Sequence, residues 1–293
     1  MRKLLPSGIA GLVMLTAAAG MAMAADVAQA PTDSSESFIF SIIADGWAGG
    51  SFMSSRTGNA DIEPHEDSLL VYGGDLRMGL LVSPGFYAQA DLSAEKTNNE
   101  KDDNFNKAHS EAAHLAFRNQ DFLFGGFVGK GNVWTEVDSD DHAEFDFRGV
   151  EFQYFTNSSV FYAQAGLFDN SDDLNYTHDG SFVRGQIQHF FGDSNKLTGQ
   201  LAIASAESSG LSTDIVDWGL RFDKSFETSP VSVFVSYSGL YAGHSDGSFV
   251  DNVARVGLRF QFGSSGGQNS NATGATLDLP SFGRWVGAGN YID

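Results

Sequence analysis

The chain has no cysteine, 6 prolines among 293 residues, and only 17 Lys and Arg against 37 Asp and Glu. Without cysteine there are no disulfides and no thiolate metal sites. That absence is compatible with an oxidising compartment in which no staple is needed. The shortage of base, a formal charge of −20, excludes nucleic acid as a partner, because no basic surface is there to neutralise phosphates. Beyond the first two dozen residues no segment supplies the roughly 20 apolar residues that a membrane helix needs. Any insertion into a membrane must therefore be by strands. What the chain does have is 34 Gly and 25 Phe, with aromatics at 13%. With so little proline, that composition suits a long-stranded all-β protein. The length would hold one large β domain or two ordinary ones.

The N-terminus, residues 1–24, reads as a secretory signal. Arg2 and Lys3 form the charged start, Leu4 to Gly20 is apolar and small, and Ala22-Met23-Ala24 is an A-x-A cleavage site. The apolar run is short for a membrane anchor, and its small-residue end favours cleavage. Residues 25–36 are polar and small, a flexible lead-in.

A repeat organises the rest of the chain. Phe86-Tyr87-Ala88-Gln89-Ala90 and Phe161-Tyr162-Ala163-Gln164-Ala165 are identical, 75 positions apart (161 − 86). In each copy the apolar residues alternate with polar ones, so each reads as a strand with one apolar and one polar face. Each is the second arm of a hairpin, after Ser83-Pro84-Gly85 and Asn157-Ser158-Ser159, and a weaker third copy turns at Thr228-Ser229-Pro230. Periods of this kind settle the architecture first.

Two kinds of connection alternate along the chain. Short ones fall near 83–85, 119–121, 156–159, 191–195 and 227–230. Long, mostly acidic ones fall near 54–68, 97–107, 131–143, 169–180, 207–213 and 243–251. In an up-and-down meander alternate connections lie at the same end. All long loops are then at one end and all short turns at the other, the asymmetry of outer-membrane β-barrels. The count is about twelve strands between 37 and 262, at approximately 37–53, 69–82, 86–96, 108–118, 122–130, 144–155, 160–168, 181–190, 196–206, 214–226, 231–242 and 252–262. Aromatics gather near both strand ends, as expected of a membrane barrel with aromatic girdles. A water-soluble sandwich would explain neither the two bands nor the loop asymmetry.

The last strand, Arg255-Val256-Gly257-Leu258-Arg259-Phe260-Gln261-Phe262, resembles the terminal-strand signal of bacterial outer-membrane barrels. From the signal to Phe262 the layout is similar to the small porin-like barrel proteins of Gram-negative bacteria, of an alphaproteobacterial type. The resemblance implies an all-β fold, a transmembrane antiparallel up-and-down barrel of about twelve strands, in the cell outer membrane. It implies outer-membrane lipid around the wall and delivery to the barrel-assembly machinery through the last strand. It also implies passive diffusion of small polar solutes or ions. The departure is at the C-terminus, where the family signal usually ends the chain. Here residues 263–293 come after it: a Gly/Ser/Asn-rich linker to Gly274, then a stretch with Leu279, Phe282, Trp285, Val286 and Tyr291. The sequence leaves open whether that tail docks under the barrel, enters it, or hangs loose in the periplasm.

If Phe86, Val231 and Phe260 mark the lipid side, the other register faces the lumen. The lumen set then contains Arg77, Arg148, Arg184, Arg221 and Arg255 near mid-height, with Arg118 and Arg259 lower. Asp75, Asp91, Glu95, Asp146, Glu151, Asp217 and Asp223 share this face, and the hairpin around Pro84 sets Arg77 opposite Asp91 as an ion pair. The pore-lining candidates are Arg77, Asp91, Arg148, Glu151, Arg184, Arg221 and Arg255. In one reading the arginines form a positive constriction in a water-filled pore; in the other, arginines and acids pair across the lumen and plug it. Twelve strands lie between barrels filled by side chains and barrels that hold a channel, so both readings stay open.

Three functions fit these features: a porin-like channel, a closed structural or surface-interaction barrel, and, third, an outer-membrane lipid hydrolase. The hydrolase would need a Ser, a His and an orienting group. Only His114 and His189 fall well within strands, and neither sits in a nucleophile motif, so no catalytic residue is assigned. Asp138 to His142 and Asp169 to Asp173 are oxygen-rich enough to hold Ca²⁺ or Mg²⁺, but they lack the EF-hand pattern and read as solvated loops. No metal site and no cofactor is assigned.

Overall fold

The computed structural model describes residues 39–57, 65–83, 85–98, 105–134, 142–170, 177–192, 194–208, 210–226, 229–245, 247–263 and 277–288. The signal, the lead-in, most of the acidic loop residues, the Gly/Ser/Asn linker and Tyr291 lie outside them. Twelve strands form: β1 (Ile39–Thr57), β2 (His65–Ser83), β3 (Phe86–Asn98), β4 (Phe105–Arg118), β5 (Phe122–Trp134) and β6 (Ala143–Phe155), then β7 (Ser159–Asn170), β8 (His178–Phe191), β9 (Asn195–Ser208), β10 (Leu211–Ser225), β11 (Val231–His244) and β12 (Gly247–Phe262). One short helix comes after them, α1 (Phe282–Ala288). Each strand pairs antiparallel with its neighbours in sequence, and β12 closes on β1. The result is the expected all-β, up-and-down closed barrel, with every strand edge paired.

The strand ends match the expectation well at the short turns and less well at the far end. Ladders run up to five residues further there, as in β12, which begins at 247 against an expected 252. Two of the connections expected to be long are tight turns. β9 ends at Ser208 and β10 starts at Leu211; β11 ends at His244 and β12 starts at Gly247. Gly210 takes a φ of +76° that allows the first of these. The residues involved are polar, but polarity alone does not stop a ladder whose backbone groups all find partners across the strands. At the short-turn end, the Asn119 side chain accepts from the Asp121 and Phe122 amides, at 2.9 and 2.8 Å. Such an Asx turn reverses the chain without a glycine.

Side chains alternate between the two faces of the wall. On β12, Ala254, Val256 and Leu258 are exposed while Asp251, Val253 and Arg259 are buried. Large apolar residues cover much of the outside, among them Phe124, Val128, Val183, Ile203, Val235 and Val256. Among the described residues no helix is long and apolar enough to cross a membrane, so this band of strand residues is what a bilayer would meet. The aromatics Phe86, Phe117 and Phe161 lie on it near the short turns.

An arginine placed in the middle of the band tests this assignment. Val256→Arg, at an outer position 60% exposed, is expected to destabilise the barrel by about 2–4 kcal/mol in reversible unfolding from lipid vesicles. A neutral effect would place β12 away from lipid.

Candidate functional site

The lumen is filled by the end of the chain itself. Leu277 to Ser281 runs without regular secondary structure and α1 continues it. Leu277, Phe282, Trp285 and Val286 are each at most 1% exposed. Of the three placements the sequence left open, the structure takes the one inside the barrel.

The repeated pentapeptide holds this tail. Both copies turn Tyr and Gln inward and Phe and Ala outward. In the first copy the Gln89 amide is paired twice to one residue of the tail. Nε2 donates to the Leu277 carbonyl at 3.1 Å, and Oε1 accepts from the Leu277 N–H at 3.3 Å. Tyr87 donates to Gln89 Oε1 at 2.7 Å and so fixes that amide's orientation. In the second copy Tyr162 and Gln164 both donate to the Asp278 carbonyl, at 3.1 and 2.8 Å. A segment entering a barrel has backbone groups with no ladder to join, and each needs a partner. The two Tyr-x-Gln pairs supply it.

Charge fixes the segment further. Asp278 lies between Arg184 Nη2 at 3.0 Å and Arg77 Nη2 at 3.4 Å. Burial pushes the Asp278 carboxyl up, but Arg77 and Arg184 more than reverse this and bring it down to about 2 from 3.8. Arg184 also donates to Gln164, Gln186 and Gln200, at 2.9, 2.8 and 2.6 Å. Higher up, Arg284 of α1 pairs with Asp251 at 2.7 Å and Trp285 Nε1 donates to Asp217 at 2.9 Å. At the long-loop rim the Thr177 N–H donates to the Val286 carbonyl at 3.1 Å. The helix end is thereby capped by the wall rather than by water.

On the side of β6 to β8 the lumen around α1 is apolar. The Phe282 ring stacks on Phe147, with centroids 4.2 Å apart and planes at 19°, and meets Phe182 edge-on at 5.3 Å. Trp285 packs against Phe168 and Phe182. Gly283 lets the helix lie against the wall, since a Cβ there would collide with that of Ala108.

The charged residues expected in the lumen fall on both sides of the wall. Arg77, Asp91, Glu151, Arg184, Arg221 and Arg255 are on the inner face. Arg148 is not. It is exposed on the outside of β6, beside Asp146, which is also outside. The reason is an inversion of polarity along β6. Below Gly149 the strand puts Val150, Phe152 and Tyr154 out and Glu151 and Gln153 in. Above it, Phe145 and Phe147 face in, toward α1, and Glu144, Asp146 and Arg148 face out.

A second correction concerns Arg77 and Asp91. The register sets them opposite as expected, but they do not pair. Arg77 reaches Asp278, Asp75 at 3.7 Å and Asp45 at 3.9 Å. Asp91 accepts from Gln89 at 2.6 Å and lies 3.2 Å from His114 Nε2. His114 Nδ1 is 2.9 Å from Glu151, which also accepts from Tyr162 at 2.6 Å.

The sequence reading missed Lys196, Asp251 and above all Asp45 in the wall. Asp45 is buried at the centre of a cluster, with Arg259 at 2.6 and 2.7 Å and Arg221 at 2.9 Å. Arg221 also grips Asp223, which takes Lys196 at 3.7 Å. Beside the tail there remains a cavity of about 230 Å³, lined among others by Arg77, Glu95, Arg221, Arg255, Asp278 and Arg284. Away from the lumen, His178, Asp179 and Glu207 bring ligand-type atoms within 4.8 Å of one another.

No family model and no curated sequence matches the chain. Solved structures of outer-membrane barrels match it in fold. An outer-membrane channel of Pseudomonas putida F1 aligns over 80% of this chain and 99% of its own, at 9% identity and a TM-score of 0.57. The translocator domain of the autotransporter NalP from Neisseria meningitidis covers 88% of this chain and all of its own, at 14% identity and a TM-score of 0.41.

Docking of the tail should be separable from folding of the wall. Phe282→Ala is expected to weaken docking by about 3–5 kcal/mol and to let protease remove the tail, while the barrel keeps its heat-modifiable mobility. Acid should act on the same contact. Because Asp278 is depressed, its contribution is complete above 3.8 and lost as pH falls through about 2. Asp278→Asn, assayed by the same proteolysis, should remove that pH dependence.

Proposed function

We propose that the protein is a narrow channel of the cell outer membrane for small polar solutes or ions, closed by its own C-terminal segment. The observation that carries this reading is the Leu277–Ala288 segment lodged inside a twelve-stranded barrel, beside a charged cavity of about 230 Å³. In this reading the seated tail narrows the free space to the cavity beside it. With it withdrawn, Arg77, Arg184 and Asp251 would line an aqueous path together with Asp91 and Glu151. Arginines and acids both line that path, so it has polar groups for either sign of ion. Short turns toward the periplasm and longer loops outward give the orientation common to such barrels, and the last strand, Arg255–Phe262, would be read by the assembly machinery.

The closed structural barrel is the second reading, favoured by how completely the tail is paired. A catalytic role has less support. Ser159 Oγ lies 2.9 Å from Nδ1 of His189 on the outer wall. The two are cross-strand neighbours in a regular ladder, and among the described residues no acid lies against that imidazole to orient it.

Single-channel recording in planar bilayers separates the first two readings. The full-length chain is expected to conduct rarely. A chain ending at Gly263 should give steady conductance, and Arg184→Ala in that background should change its ion selectivity. A truncated barrel that folds, as judged by heat-modifiable mobility, yet never conducts would remove the channel reading and leave the structural one.

A further inference from the structure

The apolar band around the barrel is not equally tall on all sides. On β1 every outward position from Phe40 to Phe52 is apolar or glycine, seven in all: Phe40, Ile42, Ala44, Gly46, Ala48, Gly50 and Phe52. On β11 the outward run from Val231 to Tyr241 is Val, Val, Val, Tyr, Gly, Tyr. On β4 only Ala113, Leu115 and Phe117 come before Glu111, and on β6 only Val150, Phe152 and Tyr154 come before Arg148. At about 3.3 Å per residue and a tilt near 40°, each outward step adds roughly 5 Å of height. The β6 band is then about 10–15 Å tall, against about 25 Å for a bilayer-spanning barrel. Glu111 and Arg148 therefore sit at depths where the opposite wall presents apolar side chains, while Lys130, Asp146 and Asp169 lie one or more steps higher, near the upper edge of the band.

These charges form one patch. Lys130 is opposite Glu111 on one side and Asp146 on the other, and Asp146 is opposite Asp169. Lys130 Nζ is 3.4 Å from Glu111, with the two side chains 69% and 52% exposed. Among the described residues Arg148 makes no ion pair. Glu111, Lys130, Asp146 and Asp169 line a recess of about 310 Å³ on the outer wall.

We infer that this wall, β4 to β7, is where two copies of the chain pack side by side in the membrane. Hydrocarbon does not suit it, because Arg148, which makes no ion pair among the described residues, would stand charged at lipid depth. An anionic headgroup does not suit it either. Lys130 and Arg148 are outnumbered by Glu111, Glu144, Asp146 and Asp169. A second copy suits it better, because it brings cations as well as acids to the face. Two barrels in one membrane share an orientation, so their two-fold axis lies along the membrane normal and brings residues of equal height together. With that axis between β5 and β6, Lys130 of each copy faces the partner's Asp146, twice over. Below the charges, Phe124 and Phe152 offer an apolar lower half to the same interface. The inference concerns the outside of the wall and stands or falls apart from the channel reading.

Charge exchange tests it, with the full chain in lipid nanodiscs and native mass spectrometry as the readout. Heat-modifiable mobility confirms that each variant is folded. The wild type is expected to be dimeric. Lys130→Asp and Asp146→Lys should each raise the dimer's dissociation constant at least tenfold, and the double exchange Lys130→Asp/Asp146→Lys should restore it. A monomeric wild type would overturn the proposal. So would a dimer indifferent to Lys130→Asp, or a double exchange that restores nothing. Wild-type dimers that need phosphate-bearing lipid to persist would assign the patch to headgroups instead.

Discussion

Asp278 seated between Arg77 and Arg184 is the contact on which the rest of the lumen depends. A wall of twelve strands encloses more space than its own inward side chains fill, unlike one of eight. The lower and middle lumen carries arginines and acids, which are costly to bury unless paired and hydrogen-bonded. Most of those charges find partners within the wall, as Asp45 does with Arg221 and Arg259. Arg184 is different. It is nearly buried among glutamines, and Asp278 of the tail is its acid. The segment that fills the space thus also completes the electrostatics, and it reaches Arg184 along backbone contacts made by the two Tyr-x-Gln pairs.

The upper lumen obeys the same constraint. The apolar side chains of α1, Phe282, Trp285 and Val286, need apolar wall residues to pack on, while Arg284 and Trp285 Nε1 reach Asp251 and Asp217. The facing strands accordingly turn Phe145, Phe147, Phe168 and Phe182 inward. Alternation then forces the next residues outward, and on β6 those are Glu144, Asp146 and Arg148. Alternation fixes the face each residue takes, and the sequence of β6 puts rings on the inner positions and charges on the outer ones.

How much of this is legible in the sequence depends on which local rule applies. Period-2 alternation, the Phe-Tyr-Ala-Gln-Ala repeat and the turn residues place all twelve strands and the direction of each copy of the repeat. They do so because register and turn chemistry are local. Loop length is less legible. Polar residues near 207–213 and 243–251 read as loops, yet most of them belong to paired strands. The faces of β6 are misread because an apolar residue signals burial, and burial against lipid and burial against a helix in the lumen look alike. Nothing within β6 announces Phe282. The Arg77–Asp91 pair fails for a related reason, since register makes the two neighbours but a competing acid arrives from 187 residues beyond Asp91 (278 − 91). The one usable sign of the plug was in the tail itself. Phe282, Trp285 and Val286 fall at i, i+3 and i+4, an apolar face that needs a partner.

The seating of the tail is the claim most in need of a direct measurement, and amide hydrogen exchange over Leu277–Ala288 in the full-length barrel in native membranes provides it. The account predicts strong protection at Leu277 and Trp285, two fully buried residues whose N–H groups bond to Gln89 and to Ser281. Exchange of the whole segment at the rate of a free peptide, with the strands still protected, would contradict it.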